Sequence, residues 1–129
     1  MDFGPIVATL HAASLPETLE FYTSALGFDV KWSYGEDGFD SDTPTFACVE
    51  NGAAVLFFGA KGGTERAVLF VELHHVEDVD ELAASLAEDG TRLTEPNDEP
   101  WGSREFWVRD PNGHELRFSC PTDRVRPRD

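Results

Sequence analysis

Two Asn-Gly pairs, Asn51-Gly52 and Asn112-Gly113, each stand between runs that alternate apolar and polar residues. Asn-Gly accepts the positive φ that a tight hairpin demands, so each pair predicts a hairpin and the same order of elements precedes both. Ile6 to Leu10 reads as a strand. Ser14 opens a helix with Glu17 as its capping-box partner and Pro16 in the first turn. Leu15, Leu19, Tyr22 and Leu26 give the helix an apolar stripe, and Gly27 ends it. Phe28 to Tyr34, Thr45 to Glu50 and Ala53 to Phe58 are predicted strands. The second half repeats this order. Ala67 to Leu73 is a strand, Asp78 with Glu81 begins a helix that Gly90 ends, and strands follow at Thr91 to Thr94, Ser103 to Arg109 and His114 to Ser119. Phe106 and Val108 alternate there with Glu105, Trp107 and Arg109. The expectation is an α+β chain of two tandem βαβββ modules, 1–60 and 61–120, followed by a flexible tail, 121–129, whose arginines (Arg124, Arg126 and Arg128) read as solvated charge.

With 129 residues and 40% apolar content the chain suffices for one packed domain built from two half-size modules. No apolar run approaches the roughly 20 residues that span a bilayer. The opening Met-Asp-Phe-Gly-Pro-Ile-Val has no basic segment followed by an apolar one, and Cys48 and Cys120 stand alone, so a cytoplasmic protein with free buried thiols is expected. A formal charge of −15 argues against nucleic acid, whose phosphates call for basic surface. Two readings of that charge stay open: steering of a cationic ligand, or adaptation to a high-salt cytoplasm. The acids are spread along the whole chain, and only Lys31 and Lys61 among the ten basic residues are lysine.

Leu19-Glu20-Phe21-Tyr22 with Ala25-Leu26-Gly27-Phe28 resembles the first-helix signature of the vicinal oxygen chelate superfamily, which includes glyoxalase I, extradiol dioxygenases and bleomycin resistance proteins. Pro100-Trp101-Gly102, then Arg104-Glu105-Phe106 and Arg109-Asp110-Pro111-Asn112-Gly113, resemble the closing hairpin of the bleomycin resistance proteins in particular. The resemblance implies curled mixed sheets around a cleft and a homodimer. In the superfamily's metalloenzymes, ligands come from the first and last strands of each module. Matching the motifs puts Val7 at the first such position, Leu56 or Phe57 at the second, Val68 or Val71 at the third and Arg117 at the fourth. None offers an electron-pair donor to a divalent ion, so no metal or other cofactor is expected.

Other donors are His11, Glu72 and Glu115, a conceivable non-standard metal site, with His74, His75 and His114 at strand ends. The plainer reading is a polar rim with Glu115 and Arg117 in mutual reach. No GxSxG elbow, activated cysteine or phosphate-cradling glycine loop is present. Trp32, Phe39, Phe57, Phe70, Trp101 and Phe106 are placed where strands or loops line a cavity, and flat rings suit planar heteroaromatic ligands. Glu72 would meet a cationic substituent. Phe57, Phe70 and Phe106 have the alternative of plain core, while Phe39 and Trp101 lie in polar loops and call for a ligand or dimer contact. The expected function is metal-free sequestration of a planar or cationic small molecule. The alternative is a metal-dependent lyase, isomerase or dioxygenase.

Overall fold

The computed structural model describes residues 1–127. They form two compact units, Met1–Glu65 and the part from Arg66 onward. Each carries one mixed sheet and one helical segment, the α+β arrangement of two tandem βαβββ modules; the first adds a two-residue strand, and in the second one of the four strands is only two residues long.

The first unit contains β1 (Thr9–His11), α1 (Leu15–Glu20), β2 (Asp29–Gly35), β3 (Gly38–Phe39), β4 (Phe46–Asn51) and β5 (Ala54–Gly59), in sheet order β1-β5-β4-β2-β3. Only β1 and β5 run parallel. Ser14 caps α1 by accepting the Glu17 N–H at 3.4 Å. The α-helix stops short of the predicted end, because Phe21–Ala25 makes one π-helical turn. The Thr23 hydroxyl donates to the Leu19 carbonyl at 2.7 Å, competing with the regular backbone ladder there. Strand β1 also starts later than the predicted Ile6. Its pairing begins where the Phe57 N–H donates to the Ala8 carbonyl, and it ends against the returning loop, where His11 N–H meets the Thr64 carbonyl at 2.9 Å. Gly63 makes that return possible: its φ is +103°, and a Cβ there would stand 2.8 Å from the Leu10 carbonyl carbon. The hairpin loop is Gly52-Ala53, while the Asn51 amide donates to the carbonyls of Leu26 and Gly27. Leu10, Ala47, Val49, Leu56 and Phe58 turn to one side of the sheet and are buried with Leu15, Tyr22 and Leu26. Tyr22 packs on Phe58 with ring centroids 4.7 Å apart. Each fully buried Leu, Val or Phe among them contributes roughly 1.5–3 kcal/mol.

The second unit contains β6 (Val68–Glu72), α2 (Glu77–Glu88), β7 (Asn97–Asp98), β8 (Ser103–Arg109) and β9 (Glu115–Pro121), in sheet order β6-β9-β8-β7. Strand β6 is parallel to β9, and the other pairings are antiparallel. Thr91 to Thr94 is not a strand: Leu93 makes one isolated bridge to Val108, and continuous pairing resumes at Asn97. Pro96, which has no N–H, separates the two. Helix α2 has no side-chain cap, contrary to the predicted Asp78/Glu81 start. Instead, Glu77, Asp78 and Asp80 oppose the positive end of the helix dipole in the first turn. The tail attaches at the same place. Val76 N–H donates to the Arg124 carbonyl at 2.7 Å, and Arg126 N–H to the Glu77 carboxylate at 2.9 Å. The Arg126 guanidinium bridges Asp78 and Glu81, and Arg124 pairs with Glu72. These two arginines are exposed, as expected of solvated charge, and are ion-paired as well; Arg128 lies outside the described residues. The Asp110 carboxylate organises the closing turn by accepting the N–H groups of Asn112 and His114 at 2.8 and 2.9 Å. Among the described residues no helix is long and apolar enough to cross a membrane.

Candidate functional site

Strand side chains alternate between faces, so each sheet presents a second row of residues on the side away from its helix. In the first unit the pairings Trp32↔Cys48↔Phe57 and Tyr34↔Phe46 put these residues on one face. Trp32, Phe46 and Phe57 meet as a triangle with centroid separations of 5.7, 5.4 and 5.6 Å. Phe39 joins edge-on to Trp32 at 6.2 Å and to Tyr34 at 5.1 Å, and remains 70% exposed. Trp32, Phe39 and Phe57 are thus together. Phe46 and Tyr34 belong with them and were not predicted. The signal lay in spacing: Phe46 shares strand parity with Cys48, and Tyr34 with Trp32.

In the second unit the corresponding row is Phe70 and Glu72 on β6, Glu105, Trp107 and Arg109 on β8, and Glu115 and Arg117 on β9. Phe106 is not part of it. It is 1% exposed on the helix side, stacked on Phe118 at 5.4 Å, because it has the parity of Arg104, whose guanidinium reaches Asp80 of α2. Trp107, its unpredicted neighbour, takes the position instead. Arg117 lies in register with both Phe70 and Trp107, and its guanidinium carbon sits 3.6 Å from the Trp107 ring centroid and 5.3 Å from that of Phe70. Its Nε donates to Glu115 Oε2 at 3.0 Å, while Arg109 approaches Glu115 Oε1 at 3.5 Å. Glu115 is buried, and Glu105 is too. The latter accepts from the Trp101 indole N–H at 3.0 Å and from the Ser103 hydroxyl at 2.6 Å. That bond fixes the orientation of a tryptophan that is 70% exposed. Glu72 is exposed and paired with Arg124.

The residues at the four strand positions where the resemblance would put metal ligands do not fit a divalent ion. Val7 is apolar and precedes β1, Phe57 and Val68 face away from the helices, Leu56 and Val71 face toward them, and Arg117 is a cation. The alternative carboxylates do not converge either. Val68 pairs with Glu115 and Glu72 with Ser119, so Glu72 and Glu115 stand four residue steps apart, about 13 Å along the strands. Each already answers an arginine. His75 pairs with Asp78 at 3.6 Å, and the buried His114 accepts the Ala67 N–H through Nδ1 at 3.0 Å. Among the described residues no group of three His, Cys, Asp or Glu is disposed to hold a metal ion. Cys48 and Cys120 are buried, and desolvation raises both thiol pKa values, away from the thiolate form that nucleophilic catalysis needs. A surface depression of about 440 Å³ on the helix side, lined by Ala83, Ala87, Leu93, Pro96 and Arg104, includes none of the expected site residues.

The profile of the Glyoxalase/Bleomycin resistance protein/Dioxygenase superfamily matches residues 6–118. No curated protein matches the chain significantly. Among solved structures, the bleomycin-binding protein of bleomycin-producing Streptomyces verticillus, complexed with copper(II)-bleomycin, is 26% identical with a TM-score of 0.64; the match covers 92% of this chain and 96% of that one. An antibiotic-binding protein from a Streptomyces species is 22% identical with a TM-score of 0.74, covering 94% and 98%. Lactoylglutathione lyase from Agrobacterium tumefaciens is 15% identical with a TM-score of 0.72, covering 91% and 92%. The last two likenesses establish a shared fold alone.

Proposed function

This chain belongs to the glyoxalase/bleomycin resistance protein/dioxygenase superfamily, and from that premise we propose that it is a metal-free protein that captures a small planar molecule by stacking and does not transform it. One observation carries the reading: the helix-free faces present rings and a stacked guanidinium where a metalloenzyme would present donors. Trp32, Phe46 and Phe57 supply them in the first unit, and Trp107 and Arg117 in the second. The bleomycin-binding protein among the similar structures supports the same direction. Of the two ligand classes expected, planar and cationic, the planar one has the better support, since Glu72 is already paired with Arg124. Engagement of Glu72, Glu105 and Glu115 by neighbours also favours a general origin for the charge of −15, such as a high-salt cytoplasm, over attraction of a cationic ligand. The protein acts as a homodimer in this reading, and the exposed Phe39 and Trp101 would lie against the ligand or the second copy.

Titrating the intrinsic tryptophan fluorescence with bleomycin and a panel of planar heteroaromatic antibiotics tests the proposal. Saturable quenching by at least one is expected, and its absence with all of them counts against capture. Elemental analysis of protein purified without chelator should find no stoichiometric Ni, Zn, Fe or Mn. Stoichiometric metal that is lost in Glu72→Ala or Glu115→Ala would instead establish the enzyme alternative. Light scattering coupled to size exclusion should give twice the 14.3 kDa chain mass.

A further inference from the structure

We infer that the helix-free face of the second unit selects a planar ligand bearing a carboxylate, with Arg117 as the group that receives it; this inference rests on the planar-capture reading above. Arg117 has five N–H donors in a planar fork. Its Nε is engaged by Glu115 at 3.0 Å, and among the described residues no hydrogen bond is made by its two terminal nitrogens. The fork is nevertheless held still. Trp107 lies 3.6 Å beneath it, Phe70 flanks it at 5.3 Å, and Glu115 anchors one edge. A fork fixed in this way has little freedom left to lose on binding, and its terminal edge matches a carboxylate in two parallel hydrogen bonds. The side chain is 26% exposed and so is partly open to a ligand.

The neighbouring charges point to the same ligand class. Glu115 faces two arginines, Arg117 and Arg109, leaving one positive charge over. Glu105 is engaged by Trp101 and Ser103, and Glu72 by Arg124. A cation arriving here meets carboxylates that already have partners, whereas an anion meets unengaged donors. Around Glu115 itself this excess of one runs against the chain's net charge of −15, although Glu105, held only by neutral donors, keeps its own charge on the same face. Phe70, 63% exposed beside the fork, offers the ring against which the flat part of such a ligand lies.

Isothermal titration with naphthoate, naphthamide and naphthylmethylammonium, substituted at the same ring carbon and compared at fixed ionic strength, isolates the charge of the ligand from its flat surface. Naphthoate is expected to bind about tenfold more tightly than naphthamide, with the ammonium weakest. Arg117→Gln should remove the preference of naphthoate over naphthamide. Should circular dichroism show that variant unfolded, Arg117→Lys, which keeps the charge and loses the fork, should reduce the same ratio. Equal binding of the three probes, tightest binding of the ammonium, or a preference that survives Arg117→Gln would overturn the inference and leave planar capture standing. Binding of none of them would overturn both.

Discussion

The helix-free faces of the two modules have the same parentage in topology and opposite chemistry. In the first, five rings close on one another, and no charged side chain enters the cluster. In the second, the corresponding positions hold two arginines, three glutamates, a tryptophan and a phenylalanine, knitted by ion pairs and cation–π contacts. The helix-facing sides, by contrast, are alike: Leu, Val, Ala and Phe in both, with Tyr22 on Phe58 in one and Phe106 on Phe118 in the other. The constraint from apolar packing is therefore heaviest on alternate residues, although Cys48, Glu105 and Glu115 are buried on the other side. Close-packed interiors respond to single methylene groups, so the helix side holds its composition, while the other side is open to diverge.

That division is breakable by experiment. Phe58→Ala and Phe106→Ala should each lower unfolding stability by about 3–5 kcal/mol in urea titrations, whereas Phe39→Ala should cost no more than about 1 kcal/mol. If Phe106→Ala proved as mild as Phe39→Ala, the assignment of β8 faces would be wrong. A second contrast concerns the edge strands. Strand β1 is held by the loop at Gly63 and Thr64, while β6 and the start of α2 are held by Arg124 and Arg126. Gly63→Ala forces a β-carbon against the backbone of Leu10 at a positive φ, at about 1–3 kcal/mol. Hydrogen exchange should quicken at His11 and Thr64 before it does in the second module.

Removing the charge centre of the second face should cost less than removing core. Glu115→Ala leaves Arg117 and Arg109 facing each other, a loss of roughly 1–3 kcal/mol, and should blue- or red-shift the fluorescence of Trp107 as its stacked cation loosens. The smallest effect is expected at the Asp80–Arg104 pair on the helix side. The hydrogen bond from Arg104 holds the Asp80 carboxyl below the ordinary range. Its contribution is thus present above the unfolded carboxylate pKa, about 4, and is lost as pH falls through the lower folded value. Asp80 is half exposed, so Asp80→Asn should cost less than about 1 kcal/mol at neutral pH. The difference from the parent should vanish in urea titrations run below that range.

Much of this was legible in the residues themselves. Alternation marked β2, β4, β5, β6, β8 and β9, and Gly27 and Gly90 marked the ends of the helical segments. These are local signals, set by strand period and by the φ that glycine permits. What escaped has a physical reason in each case. The alternation of Phe106 and Val108 with Glu105, Trp107 and Arg109 already separates Trp107 from the core side; the expected placement of Phe106 in the cavity runs against that parity, and arises because Phe106, Trp107 and Val108 are all apolar. The short strands β3 and β7 make too few pairings to leave a periodic trace. Arg124 and Arg126 look solvated in a list of residues because their partners, Glu72, Asp78 and Glu81, lie far back in the chain.

The neighbouring placement of Phe106 and Trp107 has a consequence for how this protein can change over generations. Losing or gaining one residue in β8 would exchange its two faces, driving Glu105 and Arg109 against Val79, Ala83 and Leu86 of α2 and turning Phe106 and Val108 outward. Such a lesion would strike the fold and the site in one event. A point substitution at 105, 107 or 109 touches only the helix-free side. A change in the length of this strand disturbs both faces and a replacement disturbs one, so new ligand preferences on this scaffold should arise by replacement and not by insertion or deletion.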